Sequence, residues 1–241
     1  MGMPVTVIIA DSSADDAAFE KVFSYFRYVD EKFSVYKETS EITKINHGIL
    51  HEKDYSDDMK EVLLLSEETK KLTGGYFDIH APGGFCDTSG LVKGWAIWNA
   101  AKILDVGGFK NFLIDVGNDI EVRGLNEEGG LWQVGIRNPL KEEKEVVKVV
   151  NLTNAGIATS GNQARGKHIY NPHDGNSSAD EIASITVIGK NIYEADRFAT
   201  AVFAMGKMGI QFIEKLDGFE GYVIDKEGIA TMTSGFEKYT K

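Results

Sequence analysis

Cysteine is almost missing from this chain. Cys86 stands alone among 241 residues, which excludes an intramolecular disulfide and any multi-cysteine metal site. Proline is scarce too, with four residues, and no flexible linker, internal repeat or low-complexity tract breaks the sequence. Separate domains on a tether are therefore not expected. No apolar run approaches the roughly 20 residues needed to cross a bilayer. Basic residues are the minority, 26 Lys and Arg against 37 Asp and Glu, for a formal charge of −11. That balance argues against general binding to nucleic acid or to an anionic membrane, both of which favour a basic face. The N-terminus, MGMPVTVIIAD, lacks the basic region, apolar core and cleavage site of a secretory signal. A cytoplasmic location is the expectation, unless a leader has been removed.

What is present suits a soluble globular protein: 42% hydrophobic and 26% charged residues, in a chain long enough to bury a substantial core. An acidic chain that handles an anionic ligand must supply local positive charge from a lysine, a helix start or a metal ion. The stretch Phe85–Ala101 has the means. Leu91, Val92, Trp95, Ile97, Trp98 and Ala101 recur near helical spacing. Asp87, Thr88 or Ser89 can cap the helix, and Lys93 and Gly94 fall in its early turns, near an end that favours anions. A capped amphipathic helix with no ligand would look the same.

The periodicity predicts a strand at Pro4–Ala10, a helix at Ala17–Val29, a brief strand at Phe33–Tyr36 and a Ser40-capped helix ending near Asn46. A long helix follows at Tyr55–Leu72, stopped by Thr73-Gly74-Gly75, then the helix from Gly90 to about Leu104. Beyond it come strand-like runs at 111–116, 120–123, 131–137, 146–152, 156–159 and 182–188, a helix at 193–205, another at 208–216, and a closing hairpin at 221–233. The fold class expected is α+β, a mixed and mostly antiparallel sheet with inserted helices.

Several further patches invite chemistry. Ser34-Val-Tyr36 precedes the Ser40 helix, and Gly74-Gly-Tyr-Phe-Asp78 lets a ligand approach the backbone. Gly117-Asn-Asp119 reads mainly as a tight hairpin. Thr159-Ser-Gly161 offers hydroxyls to a phosphate, and His168 can move a proton near neutral pH. Asp196 and Thr200 sit four apart on a helix and face one way. They could share a hard cation with backbone carbonyls, or the threonine could simply bond its own backbone.

In order the chain reads MGMPV, FSVYKETSEITKIN, GGYFD, CDTSGLVKGWA, LIDVGNDIEVRG, IATSG, HIYNPHDG and YEADRFATAVFAMG. This succession resembles the ApbE family of FAD:protein FMN transferases across nearly the whole chain. The resemblance implies a T-fold-like, two-lobed single domain over residues 1–241. It implies Mg²⁺-dependent transfer of FMN from FAD to a Ser or Thr hydroxyl of an acceptor protein, releasing AMP. By the same likeness, Tyr36, Tyr76, Phe77, Asp78, Asp87, Lys93, Thr159 and Ser160 line the FAD site, and Met1 falls at the family's M-G pair. The Gly90 carbonyl, Asp196 and Thr200 match the metal positions, and His168 matches the proton-transfer histidine. Asn118 replaces the second glycine of the family's G-G-D, Asn171 the aspartate of its H-x-x-D-P, and the segment from Asp78 to Asp87 is short. Those departures leave two alternatives, an FAD pyrophosphatase and a non-catalytic flavin-binding protein.

Overall fold

A computed structural model describes residues 2–81, 84–141, 145–161, 169–174 and 181–240. Its centre is a seven-stranded sheet in the order β1-β2-β3-β6-β7-β8-β9, with every neighbouring pair antiparallel. The strands are β1 (Val5–Ile9), β2 (Phe112–Val116), β3 (Asp119–Arg123), β6 (Ala155–Gly161), β7 (Ile182–Gly189), β8 (Glu220–Asp225) and β9 (Ala230–Met232). A separate hairpin of β4 (Trp132–Arg137) and β5 (Val146–Leu152) lies over one face of this sheet. Six α-helices accompany the strands among the described residues: α1 (Asp16–Phe33), α2 (Glu41–Asn46), α3 (Asp57–Leu72), α4 (Ser89–Val106), α5 (Ile192–Met205) and α6 (Gly209–Glu214). The α+β class and the antiparallel sheet are as the sequence implied.

Because side chains alternate along a strand, neighbouring residues serve opposite faces. Phe112, Ile114, Val116, Ala158 and Val187 pack with the helices. Ile120, Val122, Ile157 and Ile188 pack with Trp132, Val134 and Val150 of the hairpin. Both faces are thus covered. Helix starts follow the polar punctuation: Asp15 accepts from the Ala18 N–H, Ser40 from Thr43, Ser56 from Met59 and Asn191 from Glu194. α4 is buried on most sides, as a helix this apolar must be.

One local expectation is overturned, and one choice among three is settled. Residues 33–36 form no strand. Phe33 instead ends α1, buried edge-on against Trp95 with ring centroids 5.5 Å apart. At the start of α4 the cap residue Thr88 makes no capping bond, and its hydroxyl is buried without a partner among the described residues. Asp87 takes over, its Oδ1 accepting from the Ser89 N–H at 2.9 Å.

The start of α5 is pressed hard onto the sheet. Glu121 is fully buried on the helix-side face of β3, where its Oε2 accepts from the Ile192 N–H at 2.6 Å and its other oxygen pairs with Arg123. Burial pushes this carboxyl up to about 7, against the pull of Arg123. Gly156 permits the approach, since a Cβ there would lie 2.0 Å from the Ile192 nitrogen.

Cys86, on the bridge that pairs it with His80, is buried, and burial raises its thiol to about 11. At pH 8 about one molecule in a thousand then carries the thiolate. A disulfide reagent should therefore label native protein very slowly and denatured protein at once. Prompt labelling of the native chain would contradict the burial.

Candidate active site

At one end of the sheet, on the helix side, the first turns of α4 meet the middle of α5 and the β2–β3 turn. They enclose a cleft of about 260 Å³. The approach of α4 to α5 depends on Gly94, where a Cβ would sit 2.6 Å from the Asp196 Cβ and 2.8 Å from the Ile192 carbonyl oxygen. With no side chain in the way, the Gly94 N–H donates to Asp196 Oδ2 at 2.7 Å. One turn earlier on α4, the Gly90 carbonyl accepts from Thr200 Oγ1 at 3.2 Å. Asp196 and Thr200 lie on one face of α5, one turn apart, so they meet the same edge of α4.

Lys93 crosses this edge. Its Nζ pairs with Asp119 Oδ2 and lies 3.8 Å from Asp196 Oδ1. Asp119 opens β3, is 1% exposed, and its Oδ1 accepts from the Thr159 N–H at 3.0 Å. Burial pushes the Asp196 carboxyl well above the usual carboxylate range, with Lys93 working against it and Asp119 with it. Two buried carboxylates thus share one ammonium. Beside them lie a backbone carbonyl and a threonine hydroxyl, oxygen donors all, and this set suits a hard divalent cation such as Mg²⁺.

The sequence expectations gather here. Tyr76, Phe77, Asp78, Asp87, Gly90, Lys93, Thr159, Ser160, Asp196 and Thr200 all line the cleft. Phe77 is buried, its N–H donating to Thr73 Oγ1 at 3.1 Å. Asp78 is partly buried, which opposes ionisation, but hydrogen bonds from Lys70 and His80 hold its carboxyl below the ordinary value. Thr159 sits on the rim, its hydroxyl bonded to that of Thr186 at 2.8 Å.

Tyr36 is not in the cleft. It is 90% exposed beside a smaller hollow of about 70 Å³ that shares Met3, Ser89 and Lys93 with it. The reason is local: α1 runs on to Phe33, and the chain beyond turns outward before Ser40. His168 and Met1 lie outside the described residues.

Two participants escaped the sequence reading. In the sequence Asp119 reads as part of a hairpin turn, and the turn is real, with Gly117 at φ +63° and Asn118 at φ +75°. It also delivers a carboxylate to Lys93. His173 packs edge-on against Tyr76, ring centroids 4.6 Å apart, at the mouth of the cleft. The only signal for it was its place in HIYNPHDG.

Lys93→Met keeps the stem and removes the charge. It should weaken binding of a phosphate-bearing ligand in this cleft by roughly 10- to 100-fold, the range of a charge-assisted contact of about 1.5–3 kcal/mol. Titration with FAD, followed by its fluorescence, tests this for a dinucleotide, and equal affinity in variant and wild type would put its phosphates outside the cleft.

The architecture defines the class first. It matches the flavin transferase ApbE from Vibrio cholerae with a TM-score of 0.84 over 99% of this chain and 96% of that one, at 21% identity. It also matches the apbe protein of Thermotoga maritima with a TM-score of 0.85 over 100% and 96%, at 19% identity. At those identities the likeness is one of fold. The sequence relation is the closer statement: the ApbE family model matches residues 1–83 and 80–223, and the chain belongs to the ApbE family. It is 30% identical over 161 residues to the FAD:protein FMN transferase of Escherichia coli (strain K12), covering 64% of this chain and 46% of that protein. The enzyme of the same name from Klebsiella pneumoniae (strain 342) is 32% identical over 155 residues, 61% and 44% of the two chains. The chain thus spans about half the length of the curated relatives it matches.

Proposed function

We propose that this protein transfers FMN from FAD to a Ser or Thr hydroxyl of an acceptor protein, in a reaction that depends on Mg²⁺ and releases AMP. The observation that carries the reading is the meeting of Asp196, Thr200, the Gly90 carbonyl and Lys93 in one cleft. In-line displacement at a phosphate builds charge on phosphoryl oxygens and on the leaving group, so the protein contributes mainly by position and by positive charge.

Lys93 and the first turn of α4 face the pyrophosphate, and Tyr76 offers ring surface to a base. Asp196, Thr200 and the Gly90 carbonyl would hold the magnesium. Bound there, it supplies a Lewis acid that neutralises charge on the phosphoryl oxygens. The acceptor oxygen forms a bond to the FMN phosphorus as the bond from that phosphorus to the AMP oxygen breaks. The hydroxyl proton leaves to a base, the role assigned to His168.

The test is mass spectrometry of Ser- and Thr-containing acceptors after incubation with FAD and Mg²⁺. A gain of FMN with stoichiometric AMP, abolished by EDTA, is the expected outcome. AMP released with no labelled acceptor under any condition would make the protein a pyrophosphatase. Bound FAD with no product would make it a carrier.

A further inference from the structure

A larger hollow of about 590 Å³ lies on the other side of the sheet, between its hairpin-side face and β4. It crosses five neighbouring strands, from Thr6 on β1 through Leu113, Ile120 and Ile157 to Ala183 on β7. At about 4.8 Å between strands that is a length of about 19 Å, the reach of about six extended residues. The groove shares Gly117, Thr159 and Gly161 with the catalytic cleft. The two cavities therefore meet at the end of the sheet, one on the helix side and the other on the hairpin side.

One wall is built from backbone. Five consecutive residues of β4, Gln133 to Arg137, line the groove, which side chains of a single strand face could not do. β4 pairs with β5 alone, so among the described residues its other edge has no strand beside it. An unpaired edge along a groove of this length suits an extended peptide, held by main-chain bonds whatever its sequence. The shared rim runs through Gly117 and Gly161, with the Met3 side chain packed against the first and the Ala183 carbonyl against the second.

We propose that this groove binds the acceptor protein, as an extended segment whose Ser or Thr hydroxyl passes over the Gly117–Gly161 rim to the phosphate. The inference rests on the transferase reading above. It also adds a division of labour: the dinucleotide enters from the helix side and the acceptor from the hairpin side.

Thr6→Trp and Ala183→Trp fill the groove from its two ends, at positions that touch neither the cation cluster nor the α4–α5 contact. Each variant and the wild type would be given FAD, Mg²⁺ and a heptapeptide library with a fixed central Thr. FMN labelling would be read by mass spectrometry, and FAD affinity by flavin fluorescence. Expected are FAD affinities within about twofold of wild type and labelling reduced tenfold or more in both variants. Retained FAD binding shows that the variants fold. Equal labelling by variants and wild type would overturn the groove assignment and leave the transferase reading standing. Loss of FAD affinity in both variants would give the groove to the dinucleotide and overturn the inference. A wild-type enzyme that releases AMP in the library but labels nothing would overturn the transferase reading itself, and the acceptor groove with it.

Discussion

Asp196→Ala should abolish Mg²⁺-dependent FMN transfer, with a fall of a thousandfold or more, equivalent to about 4 kcal/mol of transition-state stabilisation. The size follows from the site. Asp196 is 3% exposed and faces Lys93, Gly94 and Asp119 at the inner end of the cleft. In such surroundings an ion contributes far more than it would in water. Loss of rate must be separated from loss of fold, and Asp196→Asn does so. Its amide oxygen still accepts from the Gly94 N–H, and it removes one of two carboxylates that share a single ammonium. Its melting temperature without metal should stay within a few degrees of wild type or rise, while turnover is lost. Full transfer activity in Asp196→Ala would remove the metal role from this residue.

The second large effect belongs to a residue with no side chain. At Gly94 a methyl group would meet the Asp196 Cβ at 2.6 Å and the Ile192 carbonyl at 2.8 Å, and one of these two is backbone. Gly94→Ala must push α4 from α5. Overpacking of this kind costs about 3 kcal/mol, or roughly 6–12 °C of melting temperature in a chain of this size. The same displacement draws Asp196 and Thr200 from Gly90, so transfer should fall even where the variant is fully folded. Gly130→Ala is the control: it has no neighbour closer than 3.5 Å and no left-handed backbone, and should change neither quantity. Thermal melts and single-turnover assays at 10 °C measure both. A Gly94→Ala protein as stable and active as wild type would contradict the close helix crossing.

Much of this site was legible in the chain. The four-residue step between Asp196 and Thr200 places both on one helical face, and the run from Asp87 to Gly94 marks a helix start with a lysine in its early turns. Neither pattern says that the two helices meet. That depends on Gly94, which lets the Ile192 carbonyl and Asp196 approach where a side chain would stand, while Gly156 seats the start of α5 on the sheet. Asp119 was hidden by its place in a hairpin turn, and Glu121 for a different reason. Between apolar Ile120 and Val122, alternation assigns Glu121 to a solvent face, yet helices cover that face and both carboxylates are buried. The exposure of Tyr36 has a simpler origin. An aromatic near a helix cap reads as core or ligand contact, and nothing local to it records that α1 extends to Phe33 and swings the chain outward. The groove beneath β4 was out of reach, because its walls come from strands scattered between residues 6 and 184.

The proposed function turns on a cation site where α4 crosses α5. Mn²⁺ serves as the most direct probe, titrated into the protein with FAD present and followed by electron paramagnetic resonance. Wild type should bind one tight ion per chain, and Thr200→Val and Asp196→Ala should each weaken that binding by tenfold or more. Equal Mn²⁺ affinity in all three proteins would show that the ion, if the reaction needs one, sits somewhere other than between these helices.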